Sequence, residues 1–269
     1  MVNLCSTNRI GRYFNQQIIN NSMNQSQTIH HQGTEFDFTV PNSLNYFRVN
    51  TFSTKEPETL EWIDKIPDGS IFWDIGANVG LYSCYAAKAR NCQVFAFEPS
   101  VFNIELLARN IFLNDLSHQV TIIPLPLTDR LNQSTLNMTS TDWGGALSTF
   151  GQNYGDDGQT LKTVFQFQTI GLSIDDAVQM FKLPMPDFIK MDVDGIEHLI
   201  LKGGMKVLKN VKSVLVEINE DFENQAIESP TYLQEAGLVL KEKRHSEMFD
   251  NNPRFGNTYN QIWHRQNSL

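Results

Sequence analysis

Residues 72–99 (FWDIGANVGLYSCYAAKARNCQVFAFEP) constrain the fold more than any other part of this 269-residue chain. A short apolar run over 70–73 halts at Asp74, Gly76 and Gly80 bracket a turn, and 81–89 has helical composition. The β-branched and aromatic run 93–97 then stops at Glu98-Pro99, where proline forbids further ladder pairing. Strand, glycine turn, helix and strand in this order form the crossover unit of a parallel sheet. Such a unit sets a glycine loop and an acid side by side at the carboxyl edge of the sheet, where open α/β sheets bind ligands. A nucleoside-containing cofactor is the natural occupant.

The pattern continues downstream. A helix over 100–114 has Ile104, Leu107, Ala108 and Ile111 on one face and Ser100 as its N-cap. Strands follow at 120–125, 164–170, 187–193 and 211–218. Ser173 and Asp176 read as a capping box, and a helix from Glu197 through Leu201 breaks at Gly203-Gly204. A short helix at 231–236 precedes a closing hairpin of 238–243 and 258–264. Upstream, 36–40 and 45–49 read as a strand pair, and 56–66 as a helix that ends at Pro67-Asp68-Gly69. The expectation is a three-layer α/β domain over 34–269, with a mostly parallel sheet and a C-terminal antiparallel hairpin.

Two stretches stand apart. Residues 1–33 are rich in Asn and Gln and poor in aliphatic side chains, so they read as a polar, mobile arm. Residues 128–158 form a long irregular region, and loops of that length inside a domain usually serve function. Asp142-Trp143-Gly144-Gly145 within it reads equally as an acceptor lid with an aromatic wall and as a surface turn.

Composition excludes several classes. A net charge of −9 argues against a sequence-independent grip on nucleic acid. Cys5, Cys84 and Cys92 form no C-x-x-C pair, which points to a reducing compartment. The start lacks a signal-peptide core and no apolar run reaches membrane-span length, so the expected location is the cytoplasm. The six histidines show no metal-ligand spacing, and a solvated side chain is the simplest reading of His198. Oligomeric state is not legible.

The loop discriminates between cofactors. A dinucleotide fingerprint has glycine at its middle position, where the backbone approaches a pyrophosphate, and here that position is Asn78. Asp74 at the strand end would repel a pyrophosphate but accept hydrogen bonds from a cationic amine, so a cofactor with an amino-acid moiety is favoured. Glu98 is placed to take both hydroxyls of a ribose; a plain helix-start acid is the competing reading.

At these residues the chain resembles the FkbM family of S-adenosylmethionine-dependent methyltransferases. The resemblance runs over about residues 56–265 and rests on the D-x-G-A-N-x-G loop (74–80), the F-E-P at 97–99, and the I-K-x-D-V-[ED]-G-x-E element at 189–197. A strand carrying Glu217 and an aromatic last strand also match. One position departs: the family usually carries Glu where this chain has Asp194, which keeps the charge and shortens the reach. The resemblance implies a Rossmann-like class I methyltransferase fold with a seven-stranded sheet. It implies that Asp74, Gly76, Asn78 and Gly80 hold the methionyl end, Glu98 the ribose, and Thr128 and Asp129 the adenine.

Methyl transfer to a hydroxyl needs a base or a metal ion to make the acceptor nucleophilic. The cluster of Asp192, Asp194, Glu197 and Glu217 suits either role, and its oxygens would suit a hard divalent ion such as magnesium. Lys190 shares a strand face with Asp192 by period-two alternation, either touching the acceptor or forming an internal ion pair. Asp192, Lys190 and Glu217 are thus the expected catalytic residues. The expected activity is O-methylation of a small molecule, sugar or glycan intermediate. A nicotinamide-dependent oxidoreductase and a catalytically degenerate binding module are the alternatives.

Overall fold

The structure, a computed structural model, describes residues 8–245 and 254–266. Helix α1 (Arg9–Met23) and strands β1 (Ser26–His31) and β2 (Thr34–Thr39) precede three helices, α2 (Ser43–Asn50), α3 (Phe52–Lys55) and α4 (Pro57–Asp64). Then come β3 (Ile71–Ile75), α5 (Leu81–Arg90), β4 (Gln93–Phe97), α6 (Val101–Leu113) and β5 (Val120–Ile123). Strands β6 (Asn132–Met138), β7 (Ser148–Phe150) and β8 (Phe165–Gly171) lead to α7 (Ile174–Phe181) and β9 (Phe188–Met191). The chain ends with α8 (Glu197–Lys202), α9 (Met205–Leu208), β10 (Ser213–Asn219), α10 (Glu223–Glu235), β11 (Leu238–Arg244) and β12 (Thr258–Arg265).

Seven strands make the central sheet in the order β11-β12-β10-β9-β3-β4-β5. The five from β10 to β5 are parallel, while β12 runs antiparallel to both β10 and β11. The three-layer α/β architecture with its closing antiparallel hairpin is therefore the one expected. Sheet alternation divides the core. Trp73, Ile75, Ile189, Met191, Val214 and Val216 pack with α7 to α10 on one face. On the other, Phe72, Phe188 and Leu215 pack with Phe36, Phe38, Leu60, Ile63 and Tyr85. Asp74 and Lys190 lie opposite each other in the β3–β9 ladder, on this second face.

Local signals explain the helix starts. Ser173 and Asp176 form the expected capping box at α7, and the Ser100 hydroxyl accepts from the Asn103 amide at α6. The amino-terminal hairpin differs from expectation. The strand at 34–39 pairs with 26–31, in a turn whose Gln32 and Gly33 both have positive φ. That hairpin crosses the expected arm–domain boundary, and α1 before it buries no side chain. Residues 45–49 are helical, because Asn42 caps the Asn45 amide with its side chain and starts α2.

Two further differences concern length and order. Helix α10 begins eight residues earlier than expected and carries Pro230 inside it, anchored by buried Gln225, Ser229 and Leu233. The irregular region is partly ordered: β6 and β7 join β8 in a separate three-stranded antiparallel sheet. Met1 to Thr7, including Cys5, lie outside the described residues, and Cys84 and Cys92 are buried free thiols. Among the described residues no helix is long and apolar enough to cross a membrane.

Candidate active site

At the carboxyl edge of the sheet the β3–α5 turn packs against the backbone of β9. Gly76 has φ of 83° and lies so close to the Asp192 carbonyl that a Cβ there would stand 1.8 Å from the oxygen. Only glycine fits this position. Asn78 adopts the left-handed conformation that Asn tolerates (φ 50°), and Gly80 forms the N-cap of α5.

Glu98 leaves the end of β4 and turns back onto this loop. Its carboxylate accepts from the amides of Asn78 (2.8 Å) and Ser100 (2.9 Å) and from the Asn103 side chain at 3.4 Å. Burial raises it to about 7 against the pull of those donors. A carboxylate offers about four lone pairs, so one remains for a ligand hydroxyl. Glu98, Gly76 and Asn78 line a small cavity of about 70 Å³ whose far wall is Leu125, Pro126 and Leu127. These residues give the cavity an apolar side opposite the Glu98 carboxylate. Asp129 is turned away, within 4.0 Å of Arg130 and packed on the Gly203 turn, and does not line this cavity.

A second, larger cleft of about 420 Å³ adjoins it. Gly76, Asn78, Ala146, Asp192 and Asp194 line both cavities, and Lys190, Glu217, Tyr82, Glu56, Lys55 and Arg48 line only the larger. The three expected catalytic residues are thus brought together. Lys190 Nζ stands 3.3 Å from Asp192 and 3.9 Å from Asp74, over the ring of Tyr82. Burial works to discharge Lys190, but Asp192, then Asp74 and Glu56, outweigh it and hold the ammonium. Asp74 is 1 % exposed and lines neither cavity; it accepts from the Ser83 hydroxyl at 2.6 Å and sits behind Lys190. Burial raises its pKa against Lys190 and Ser83.

Glu217 differs in kind. Burial, with Asp192 and Glu56 beside it, pushes its carboxyl well above the usual range. Asp192 and Asp194 both open onto the two cavities; Asp194 is taken up by the strap amides, and the Asp192 side chain is 29 % exposed. Glu56 is held at about 2: burial opposes its ionisation, but Lys55 and then Lys190 outweigh it, and Tyr82 donates to it at 3.0 Å.

Asp194 and Glu197 shape the turn. Glu197 accepts from the Val193 and Gly195 amides and from Gln225, closing the loop at the start of its own helix. Asp194 accepts from the amides of Leu147 (2.7 Å) and Ser148 (3.4 Å), fastening a strap of residues 142–148 across both cavities. The same strap is held from the other side. Asn42 and Asn45 donate to the Trp143 carbonyl, Arg48 to that of Gly144, and Asn78 and Asn103 to that of Gly145. The strap covers the site, but Trp143 gives it no aromatic wall: the indole donates outward to Glu105 on α6. His198 is not solvated; it is 2 % exposed and meets the Phe222 ring edge-on. Among the described residues no three His, Cys, Asp or Glu side chains gather as metal ligands would.

Arg48, Lys55, Glu56 and Tyr82 were not expected in the site. The misreading of 45–49 as a strand hid Arg48. The pair Lys55-Glu56 reads as an ordinary helix boundary.

Comparison with known proteins shows what the chain is similar to. The model of the methyltransferase FkbM domain matches residues 74–245. The hexuronic acid methyltransferase AglP of Haloferax volcanii is 26% identical over 182 residues, 68% of this chain and 70% of that protein. Among solved structures, a methyltransferase FkbM from Methylobacillus flagellatus KT aligns with a TM-score of 0.49 at 14% identity, over 95% of this chain and 59% of its own. Fibrillarin from Aeropyrum pernix, with natively bound S-adenosyl-L-methionine, aligns at 0.49 and 11% identity, over 90% of this chain and 83% of its own.

Proposed function

The chain belongs to the FkbM methyltransferase family, and on that premise we propose that it transfers a methyl group from S-adenosylmethionine to an oxygen of a sugar or sugar acid. The membership removes the nicotinamide alternative. The acceptor class is supported by the hexuronic acid named for the Haloferax relative and by the charged groups (Arg48, Lys190, Asp192 and Glu217) set among the otherwise largely apolar lining of the larger cleft.

One observation carries the reading: Asp192 opens onto both cavities at their junction. S-adenosylmethionine supplies a methyl group already activated by its sulfonium. Glu98 offers a remaining lone pair to a ribose hydroxyl, Leu125 and Leu127 an apolar wall to the base, and the α5 N-terminus favours an anionic group. Asp192 takes the acceptor hydroxyl's proton as the oxygen–carbon bond forms and the carbon–sulfur bond breaks. Lys190 fixes the Asp192 carboxylate, and protonated Glu217 donates to an acceptor oxygen across the cleft. Asp74 acts one step back, by holding Lys190. The buried free thiols of Cys84 and Cys92 support a cytoplasmic location.

Calorimetry with S-adenosylhomocysteine tests the donor half, with Glu98→Ala weakening binding about tenfold to a hundredfold. Asp192→Asn tests the acceptor half. It should leave that affinity in place and cost roughly 10²-fold or more in kcat for methylation of a panel of neutral sugars and uronic acids with free hydroxyls. Unchanged turnover in Asp192→Asn would remove the base from the mechanism.

A further inference from the structure

The larger cleft contains three cations, and two of them are accounted for. Lys55 pairs with Glu56, and Lys190 pairs with Asp192 and Asp74. Arg48, on α2, is different. Its Nη2 donates to the Gly144 carbonyl at 2.7 Å, and no carboxylate among the described residues pairs with it. Its Nε is buried and has no hydrogen-bond partner. A guanidinium presents five donors in a planar fork that matches a carboxylate in two places at once. Leaving a buried donor of a charged group unmatched costs more than the bond would gain, so such an atom marks an absent partner.

The surroundings define what that partner is. Arg48 lines the cleft with Leu44 and Phe47 of its own helix, facing Asn78 of the glycine loop and Ala146 and Leu147 of the strap. The acids nearest in the cleft do not answer it: Glu56 is bound by Lys55 and Tyr82, Asp192 by Lys190, and Asp194 by two strap amides. Burial also raises the carboxyl of Glu217, and with Asp192 beside it that of Asp194, so the cleft has less negative charge than its composition implies.

We infer that Arg48 is a carboxylate anchor of this cleft, its guanidinium donating to the carboxylate oxygens. Resting on the methyltransferase reading above, that carboxylate has two sources: the amino-acid end of the cofactor, or a uronic acid acceptor.

The test measures binding to wild type, Arg48→Gln and Arg48→Lys by calorimetry, after thermal melts establish that each is folded. Four probes are used: S-adenosylhomocysteine, 5′-methylthioadenosine (the same nucleoside thioether without the amino acid), glucuronate and methyl glucoside. A cofactor source predicts a loss of about tenfold to a hundredfold for S-adenosylhomocysteine in Arg48→Gln, with 5′-methylthioadenosine unchanged. An acceptor source predicts a similar loss for glucuronate with methyl glucoside and S-adenosylhomocysteine unchanged. Arg48→Lys keeps the charge without the fork, so its losses should be smaller, and it carries the test if the Gln variant does not fold. Equal losses for carboxylated and neutral probes would mean that Arg48 only props the strap, and would overturn the inference. So would affinities that do not change, including the case in which glucuronate binds none of the three proteins and S-adenosylhomocysteine binds all three alike. Wild type that fails to bind S-adenosylhomocysteine at all would instead count against the methyltransferase reading.

Discussion

Replacing Lys190 by Met should be costly at neutral pH and much less so in acid. The lysine is 2 % exposed, and its ammonium stands between the Asp74 carboxylate, itself 1 % exposed, and that of Asp192. Methionine keeps most of the volume and removes the charge. Asp192 can still turn to water, but Asp74 cannot, so it is left ionised without a counter-charge or must take up a proton. The second route sets the ceiling. Holding a proton on a carboxyl whose ordinary value is 3.8 costs about 1.4 kcal/mol for each pH unit above it. The ceiling is therefore about 5 kcal/mol near pH 7.5 and about 2 kcal/mol near pH 5.5. The larger figure agrees with the roughly 3–5 kcal/mol seen when one partner of a buried pair is removed. Urea denaturation at both pH values measures the difference. Adding Asp74→Asn to Lys190→Met should recover most of the loss at neutral pH, since the uncompensated charge is gone. A loss that is the same at both pH values and is not relieved by Asp74→Asn would refute the electrostatic argument and leave packing of the lysine stem as the cause. Activity of the double variant separates the two sequence-level readings of Lys190: a kcat that returns with stability marks an ion pair that orders the site, and one that does not marks contact with the acceptor.

Burial raises Glu98 and Asp194 to about 7 and Glu197 to about 8, so between their ordinary values and these the folded state binds more protons than the unfolded chain. Stability should accordingly fall as pH rises from about 5 to about 8, with a higher Tm for the ligand-free protein at the acid end; a Tm that climbs steadily over that range contradicts the assignment. Glu56, held at about 2, acts in the opposite sense, and its contribution is lost as pH falls below its ordinary 4.5 toward 2. Gly76→Ala forces a Cβ into the Asp192 carbonyl at positive φ, with backbone on both sides of the clash, and should cost roughly 2–4 kcal/mol in urea denaturation. Wild-type stability would mean the two backbones are not in contact. Asp194→Ala should release residues 142–148, visible as faster hydrogen exchange there and faster association of S-adenosylhomocysteine in stopped flow, because the smaller cavity, about 70 Å³, lies well below the roughly 300 Å³ of ordinary ligand pockets. Unchanged exchange in that segment would show that Asn42, Asn45, Arg48, Asn78 and Asn103 hold the strap without Asp194.

The central sheet was legible because strand and helix periods alternate along much of 70–216, and breaks such as Gly76, Gly80, Pro99, Gly171, Gly195 and Gly203-Gly204 fall on Gly or Pro. Period two alone placed Lys190 and Asp192 on one face, where the structure has them 3.3 Å apart. What the sequence could not disclose came from contacts between distant segments. Asp74 reads as an acid at a ligand-binding strand end, but its direction depends on Lys190, its neighbour across the ladder, which draws it behind the site. Asp129 lies in the expected loop, yet the Gly203 turn packs on its backbone, and Leu125 to Leu127 come forward instead. The hairpin at the amino end was misread because the Asn42 cap outweighed the strand-like alternation of 45–49, while the Gln32-Gly33 turn signal lay in a segment too polar to suggest a strand.

The ladder position of Asp74 and Lys190 also bears on how the sheet assembles. Strands β3 and β9 are parallel and lie more than a hundred residues apart in the chain, so no tight turn sets their alignment. Backbone hydrogen bonds alone would accept a shift by one residue almost equally well. That shift would carry Lys190 or Asp74 to the opposite face, among Trp73, Ile75, Ile189 and Met191, where an unmatched charge costs several kcal/mol. The pairing of Lys190 with Asp74 thus doubles as a proofreader of strand alignment, penalising misaligned sheets before the cleft exists.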